Sequence, residues 1–206
     1  MWSKQTIVRS VPLVLMLVGL VWGRPSGHVR TIILRVDVPR LAWSGSTLEA
    51  KLVRHLSRNV KLNVVTSSNN AASHLETPLD WHNADSLKSW GQEVGGHYLL
   101  TVEVHNEWLE TTKSFHLPLV FHKYETSGVI EGELLLIDLT RGKQLGKEPF
   151  TVRQKGPRIF QATMDDDIND PDLHLTAFDK IRFFDHLEEK TTNYVVNWVG
   201  KLIRLR

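Results

Sequence analysis

Apolar residues in this chain recur with two different periods, and the order in which those periods follow one another leaves few architectures open. Residues 30–38, Arg-Thr-Ile-Ile-Leu-Arg-Val-Asp-Val, are rich in branched side chains and stop at Pro39, which predicts a strand. The period then lengthens. Ser46 stands three residues before Glu49, the spacing of a capping box, and Leu48, Leu52, Val53 and Leu56 follow at helical intervals, predicting a helix over about 47–58. Val60 to Val65 reads as a second strand. Ala84 to Val94 reads as a short helix that Asn83 or Asp85 can cap and Gly95-Gly96 ends.

From His97 to Glu107 the period is two: Tyr98, Leu100, Val102 and Val104 share one face, Leu99, Thr101, Glu103 and His105 the other. Val129 to Leu139 repeats a strong strand pattern and ends at the turn Thr140-Arg141-Gly142-Lys143, across which Phe150-Thr151-Val152-Arg153 pairs back as a hairpin. Between them, residues 113–124 are mixed, with apolar residues around Leu117-Pro118-Leu119-Val120-Phe121, and read as a peripheral strand or an excursion. Phe178, Ile181, Phe184, Leu187, Thr191, Val195, Trp198 and Leu202 then step by three or four, predicting a long helix over about 175–202 with one apolar stripe. Strand, helix, strand, helix, three antiparallel strands and a helix predict an α/β fold of the mixed α+β kind. Its expected form is a single mixed sheet of about five strands with helices packed on it and a long C-terminal helix. No internal repeat or low-complexity linker divides residues 28–206, so one domain is expected there.

Residues 1–27 have the layout of a secretory signal: Lys4 and Arg9, an apolar run from Val11 to Trp22, then Gly23-Arg24-Pro25-Ser26-Gly27. An uncleaved anchor, through which the chain would associate with a membrane, is the rival reading. The run is about a dozen residues, whereas a spanning helix needs about 20. No cysteine follows it, which excludes lipid attachment at a signal-peptide cysteine. The expected address is periplasmic or secreted. Lys4, Arg9 and Arg24 account for more than the whole formal charge of +2, so the exported part is near −1 and no nucleic-acid partner is expected. About 180 residues without a single cysteine must hold together in an oxidising compartment by apolar burial alone. Thiol catalysis and cysteine-ligated metals are excluded with it.

Two motifs point to a family. Gly-His-Tyr-Leu-Leu-Thr-Val-Glu-Val at 96–104 resembles the strand after the second helix in periplasmic domains of the curli-secretion lipoprotein (CsgG), LpoB and TolB amino-terminal type. Gly-Glu-Leu-Leu-Leu-Ile-Asp-Leu-Thr-Arg-Gly-Lys-Gln-Leu at 132–145 is similar to their recurring strand and turn, where an aspartate ends the strand and Thr-x-Gly-Lys starts the next. The resemblance covers residues 30–155 and implies a non-enzymatic domain that docks partners or assembles envelope machines. The chain departs from that family by lacking the lipidated cysteine and by carrying an acidic loop and a long last helix.

Catalytic templates fit poorly. Gly-x-Ser-x-Gly, His-Glu-x-x-His and a phosphate-binding loop are all missing from the sequence. Glu103, Glu131 and Glu133 are strand carboxylates of the kind found on solvent faces, and the pairs His116 with His122 and His174 with His186 have no acidic partner at a metalloenzyme spacing. In the acidic segment 164–172, Asp165, Asp167 and Asn169 alternate as oxygen ligands do at the start of a calcium loop, which makes them the candidate site for a divalent cation. Asp170 stands where that loop needs glycine and Thr176 where it needs glutamate, and a solvated loop in which Asp172 caps the last helix explains the same residues. No other cofactor is expected. Candidate partner-binding residues are Trp81 and His82 in the polar stretch 66–83, and Tyr194 and Trp198, which stand near Lys201, Arg204 and Arg206.

The functional expectation is therefore an exported interaction domain, an accessory or assembly factor of a Gram-negative envelope or secretion machine, with an envelope protein as partner and no catalysis. The competing expectation is an exported metal-dependent hydrolase using the 165–172 loop with His174. A third is a small-ligand carrier with the Trp81 loop as lid.

Overall fold

Alternation along residues 98–104 decides which side of the sheet carries the core. A computed structural model describes residues 29–39, 46–60, 62–66, 83–117, 121–161 and 177–204. Its elements are β1 (Thr31–Asp37), α1 (Ser46–His55) with a wider π turn over Leu56–Val60, β2 (Asn63–Thr66), α2 (Ala84–Glu93), β3 (Tyr98–Leu117), β4 (Phe121–Asp138), β5 (Lys143–Gln161) and α3 (Ala177–Arg204). The strands form one mixed five-stranded sheet in the order β2-β1-β3-β4-β5. β1 runs parallel to β2 and β3, and β3, β4 and β5 are antiparallel.

Tyr98, Leu100, Val102 and Val104 point to one face, where they join Ile32 and Leu34 of β1, Leu48, Leu52 and Leu56 after β1, and Leu187, Val195 and Val199 of α3 in the main core. Each fully buried leucine there contributes about 1.5–3 kcal/mol of transfer free energy. α2 lies on the opposite face, where Leu87 and Trp90 pack on Ile33, Leu99, Ile137 and Leu139 at one end of the sheet. Helices on both sides of β1 follow from connecting β1 to β2 and then β2 to β3 across it.

The three antiparallel strands are longer than their clearest patterns, whereas the strand expected at Val60–Val65 is only Asn63–Thr66, because the chain stays helical through Val60 in the π turn that follows α1. Residues 113–124, read as a peripheral strand or an excursion, are the far halves of β3 and β4, paired to Leu117↔Phe121. The alternation fades because a bulge interrupts it: Val104 pairs with Gly132 and Asn106 with Glu131, leaving His105 as the extra residue. That insertion moves the core-facing phase by one, so Leu109 packs on the main core. At the other end of β4, Asp138 Oδ1 accepts from Thr140 Oγ1 at 2.6 Å and from the Arg141 N–H at 3.1 Å, which fixes the turn. Gly142 completes it at φ 62°, with its bare Cα against the Ala84 carbonyl of α2. These bonds are the physical content of the Asp-Leu-Thr-Arg-Gly motif.

The stripe expected on α3 holds from Phe184 onward and fails before it. Phe178 and Ile181 are each 71 % exposed. Bonds from α1 reach α3 at Asp185 and Glu188, so the flank that buries Thr192 and Val199 further along stands open at Ile181.

Those bonds tie the two helices together through buried charge. Lys51 Nζ lies 2.6 Å from Asp185 Oδ1 and 2.8 Å from Glu188 Oε2, and Thr47 Oγ1 donates to the other Glu188 oxygen at 2.6 Å. Glu188 is 4 % exposed. Removing the lysine alone strands a buried carboxylate, so Lys51→Met should lower the unfolding free energy by about 3 kcal/mol, and adding Glu188→Leu should restore most of it, read by urea denaturation. The Asp185 carboxyl is held below its ordinary 3.8, first by the Lys51 bond. Burial pulls the Lys51 pKa down, but the bonds to Asp185 and Glu188 outweigh it and leave the pKa above 10.5. The Asp185 contribution is present above pH 3.8 and lost as pH falls through the lowered value; that of Lys51 is present below 10.5 and lost as pH rises through the raised one. Melting temperature against pH should therefore sag at both extremes in the native chain, with a smaller loss at each in the double variant.

Candidate functional site: the seam between β5 and α3

β5 is an edge strand, and α3 runs along it on the core side. The alternation of β5 turns Gly146, Glu148, Phe150 and Val152 toward α3 and leaves Lys147, Pro149, Thr151 and Arg153 exposed. A Cβ on Gly146 would stand 2.8 Å from Leu202 and 3.0 Å from the Trp198 ring, so the bare backbone at this position admits the indole. Glu148 holds the next helix-facing position, and its two oxygens accept separately. The Tyr194 hydroxyl donates to Oε1 at 2.6 Å and the Trp198 Nε1–H to Oε2 at 2.6 Å. The Tyr194 ring packs on Phe150 with centroids 6.1 Å apart. The Glu148 bond, with a smaller contribution from burial, raises the Tyr194 pKa above 10.0, because a phenolate would lose its donor and face the carboxylate.

Further along, Lys190 Nζ donates to the Arg153 carbonyl at 2.7 Å, so a lysine from the helix occupies a main-chain acceptor of the strand. Beyond Lys190 the seam widens into a groove of about 280 Å³ between Gln154, Lys155 and Gly156 of β5 and Asp179, Arg182, Phe183 and His186 of α3. Phe183 forms its floor. A Cβ on Gly128 would stand 2.5 Å from that ring and one on Gly156 3.2 Å, so glycines on β4 and β5 make room for it. The walls are charged: Lys155 pairs with Glu125 at 2.9 Å, and His186 Nδ1 lies 2.8 Å from the Arg182 carbonyl. The exposed Phe178 precedes Arg182 by one turn, on the same side of the helix as His186.

The face of the sheet away from α1 and α3 is polar beyond the reach of α2. Asp37 of β1, Glu103 of β3 and Glu133 of β4 stand side by side in register. Each has a basic neighbour: Arg35 Nε at 2.8 Å from Asp37, His105 Nε2 at 3.5 Å from Glu103 and Lys147 Nζ at 2.8 Å from Glu133. Arg153 likewise pairs with Glu110. The row is a solvated polar surface in which each carboxylate has a basic neighbour, the reading expected of Glu103 and Glu133. Among the described residues no three His, Asp or Glu side chains stand close enough to share a metal ion, and no helix is long and apolar enough to cross a membrane.

Of the residues singled out from sequence, Tyr194 and Trp198 are brought together on Glu148, with Lys201 and Arg204 exposed near them. Trp81, His82, Asp165, Asp167, Asn169 and His174, like the expected export signal, lie outside the described residues. His116 and His122 are register partners at the far end of the β3–β4 hairpin. Glu148 and the exposed Phe178 were not foreseen as site residues. The available signal at Glu148 is an acid between Gly146 and Phe150 in a core-facing phase.

No protein-family model matches the chain, and no curated protein matches its sequence. Solved structures resemble it to different degrees. The hypothetical protein CT253 from Chlamydia trachomatis superposes with a TM-score of 0.50 at 10 % identity, over 86 % of this chain and all of that one. A DUF330 protein from Xanthomonas campestris gives 0.47 at 11 % identity, over 86 % and 87 % of the two chains. The LpoB C-terminal domain from Salmonella enterica gives 0.34 at 13 % identity, over 63 % and 87 %. At such identities the likeness is one of architecture, and function has to be argued from the surface itself.

Glu148→Gln should bring the Tyr194 pKa back toward 10.0, visible as an earlier tyrosinate absorbance rise in alkaline titration, with Tyr194→Phe identifying the transition. The same variant weakens both bonds from α3 and should cost about 1–2 kcal/mol of stability.

Proposed function

We propose that the chain is an exported domain, built over residues 28–206, that docks another protein of the Gram-negative envelope along the β5–α3 seam as an accessory or assembly factor. The observation that carries this reading is the pair Phe178 and Ile181, each 71 % exposed at the start of a helix whose other large apolar side chains are mostly buried. Phe178 lies one turn before Arg182 of the open groove at the sheet edge and Ile181 on the flank toward α1, so a partner laid over the first turns of α3 can bury both. The signal-like residues 1–27 support export, and the motifs at 96–104 and 132–145 support an envelope setting.

The Glu148 clamp gives the seam its rigidity. With both polar tips bound to β5, Tyr194 and Trp198 cannot swing freely, so α3 offers a preformed surface and a partner loses less entropy in binding. The groove sets Lys155 and Arg182 beside Asp179, with Lys155 already paired to Glu125, so its walls favour a partner segment that is mainly apolar with polar groups at its rim.

A photo-reactive phenylalanine at position 178 should cross-link a discrete envelope protein in cells, while the same group at Asn197, on the exposed face of α3, should not. Ile181→Asp should abolish the cross-link from 178 without lowering the melting temperature, since Ile181 is exposed. Equal cross-linking from 178 and 197, or a product insensitive to Ile181→Asp, would overturn the reading.

A further inference from the structure

At the end of the sheet where β1 and β3 begin and β4 stops, three segments of chain are laced together. The His97 N–H donates to the Thr31 carbonyl at 2.8 Å, and the Leu139 N–H donates to the His97 carbonyl at 2.9 Å. The Thr31 N–H donates to the His97 ring at Nδ1, 3.1 Å away. Two adjoining cavities open around this knot, one of about 150 Å³ and one of about 290 Å³, and His97 and Thr140 line both.

The smaller cavity is rich in donors. Because His97 Nδ1 accepts a hydrogen bond, the neutral ring carries its proton on Nε2, which is left to donate. Arg30 Nη1 donates to the Tyr98 hydroxyl at 2.8 Å, and its guanidinium lies 6.0 Å from the centre of the Tyr98 ring. Both contacts are to a neutral group, and among the described residues no carboxylate pairs with Arg30. Tyr98, accepting from Arg30, keeps its own hydroxyl hydrogen to give. Asp138 also lines this cavity, but its Oδ1 is taken by Thr140 and the Arg141 N–H, and Arg141 Nε stands 3.8 Å from its Oδ2. The aspartate and Arg141 therefore offset one another, and Arg30 remains the uncompensated charge. The larger cavity continues past His97 between Leu139 and the Gly95-Gly96 backbone.

We propose that this double cavity binds a small organic oxyanion. Its carboxylate or phosphate group sits in the smaller cavity on Arg30, the Tyr98 hydroxyl and His97 Nε2–H, and its neutral body lies in the larger one against Leu139. A planar guanidinium held in place by Tyr98 still has paired N–H groups free for bidentate contact with either anion. The site shares no residue with the β5–α3 seam, and its fate is independent of the docking reading.

The test is calorimetric titration of the full chain with acetate, benzoate, inorganic phosphate and phenyl phosphate. Benzoate or phenyl phosphate should bind more tightly than the matching small anion, and the stronger of the two names the anionic group. Arg30→Ala should weaken binding at least about ten-fold, the loss of a charge-assisted contact. Arg30 is exposed and precedes β1, so the melting temperature should hold. Leu139→Trp should remove the advantage of the aromatic ligands, and if that variant fails to fold, Arg30→Ala still decides. Saturable binding by none of the probes, or binding unchanged in Arg30→Ala, would overturn the proposal.

Discussion

One face of the sheet is sealed by α3 together with α1, and the rest of the molecule is arranged around that burial. The alternation of β3 sends Leu100, Val102 and Val104 to meet Leu187, Val195 and Val199, and the glycines of β4 and β5 let the aromatic rings of α3 settle between strands. Lys51 and Glu188 join the two helices across a buried pair that apolar side chains of similar size could replace. What the pair adds is registration, because Thr47, Lys51, Asp185 and Glu188 satisfy one another only when α1 and α3 lie at one relative height.

Lengths then decide what is left uncovered. A strand of 20 residues spans about 66 Å and a helix of 28 about 42 Å. α3 therefore cannot roof the whole of β3 and β4. The first turn of α3 overshoots α1 and leaves Phe178 and Ile181 in water, while the reverse face of the sheet balances its carboxylates with neighbouring bases. Open apolar surface and a polar, ion-paired sheet face belong to the same molecule, and the first is the better handle for another protein.

The sequence displays most of this fold because local periodicity and burial agree over the central elements. Residues 98–104 show their two faces directly, and the Asp138 turn is visible as a motif whose bonds the structure supplies. Periodicity cannot show where a neighbouring element ends, which is why Phe178 and Ile181 fall on the expected stripe yet stand exposed. It also fails across a bulge: His105 shifts the phase, and the strand character of residues 106–117 fades even though pairing continues to Leu117. Glu148 is illegible for a related reason, since its role depends on Tyr194 and Trp198, which lie far along the chain and meet it only once α3 is docked. The same holds for Arg30 and Tyr98, ordinary residues in sequence whose pairing requires β1 and β3 to start side by side.

Long outer strands usually invite a neighbouring molecule to extend the ladder. β5 is poorly suited to that: Pro149 offers no amide hydrogen in mid-strand, and the Arg153 carbonyl is already occupied by an ammonium from α3. An incoming backbone would meet a missing donor at one rung and a filled acceptor four residues on. Self-association by sheet extension is thereby discouraged, and any contact made along this margin has to be made by side chains, which can discriminate between surfaces where a ladder cannot.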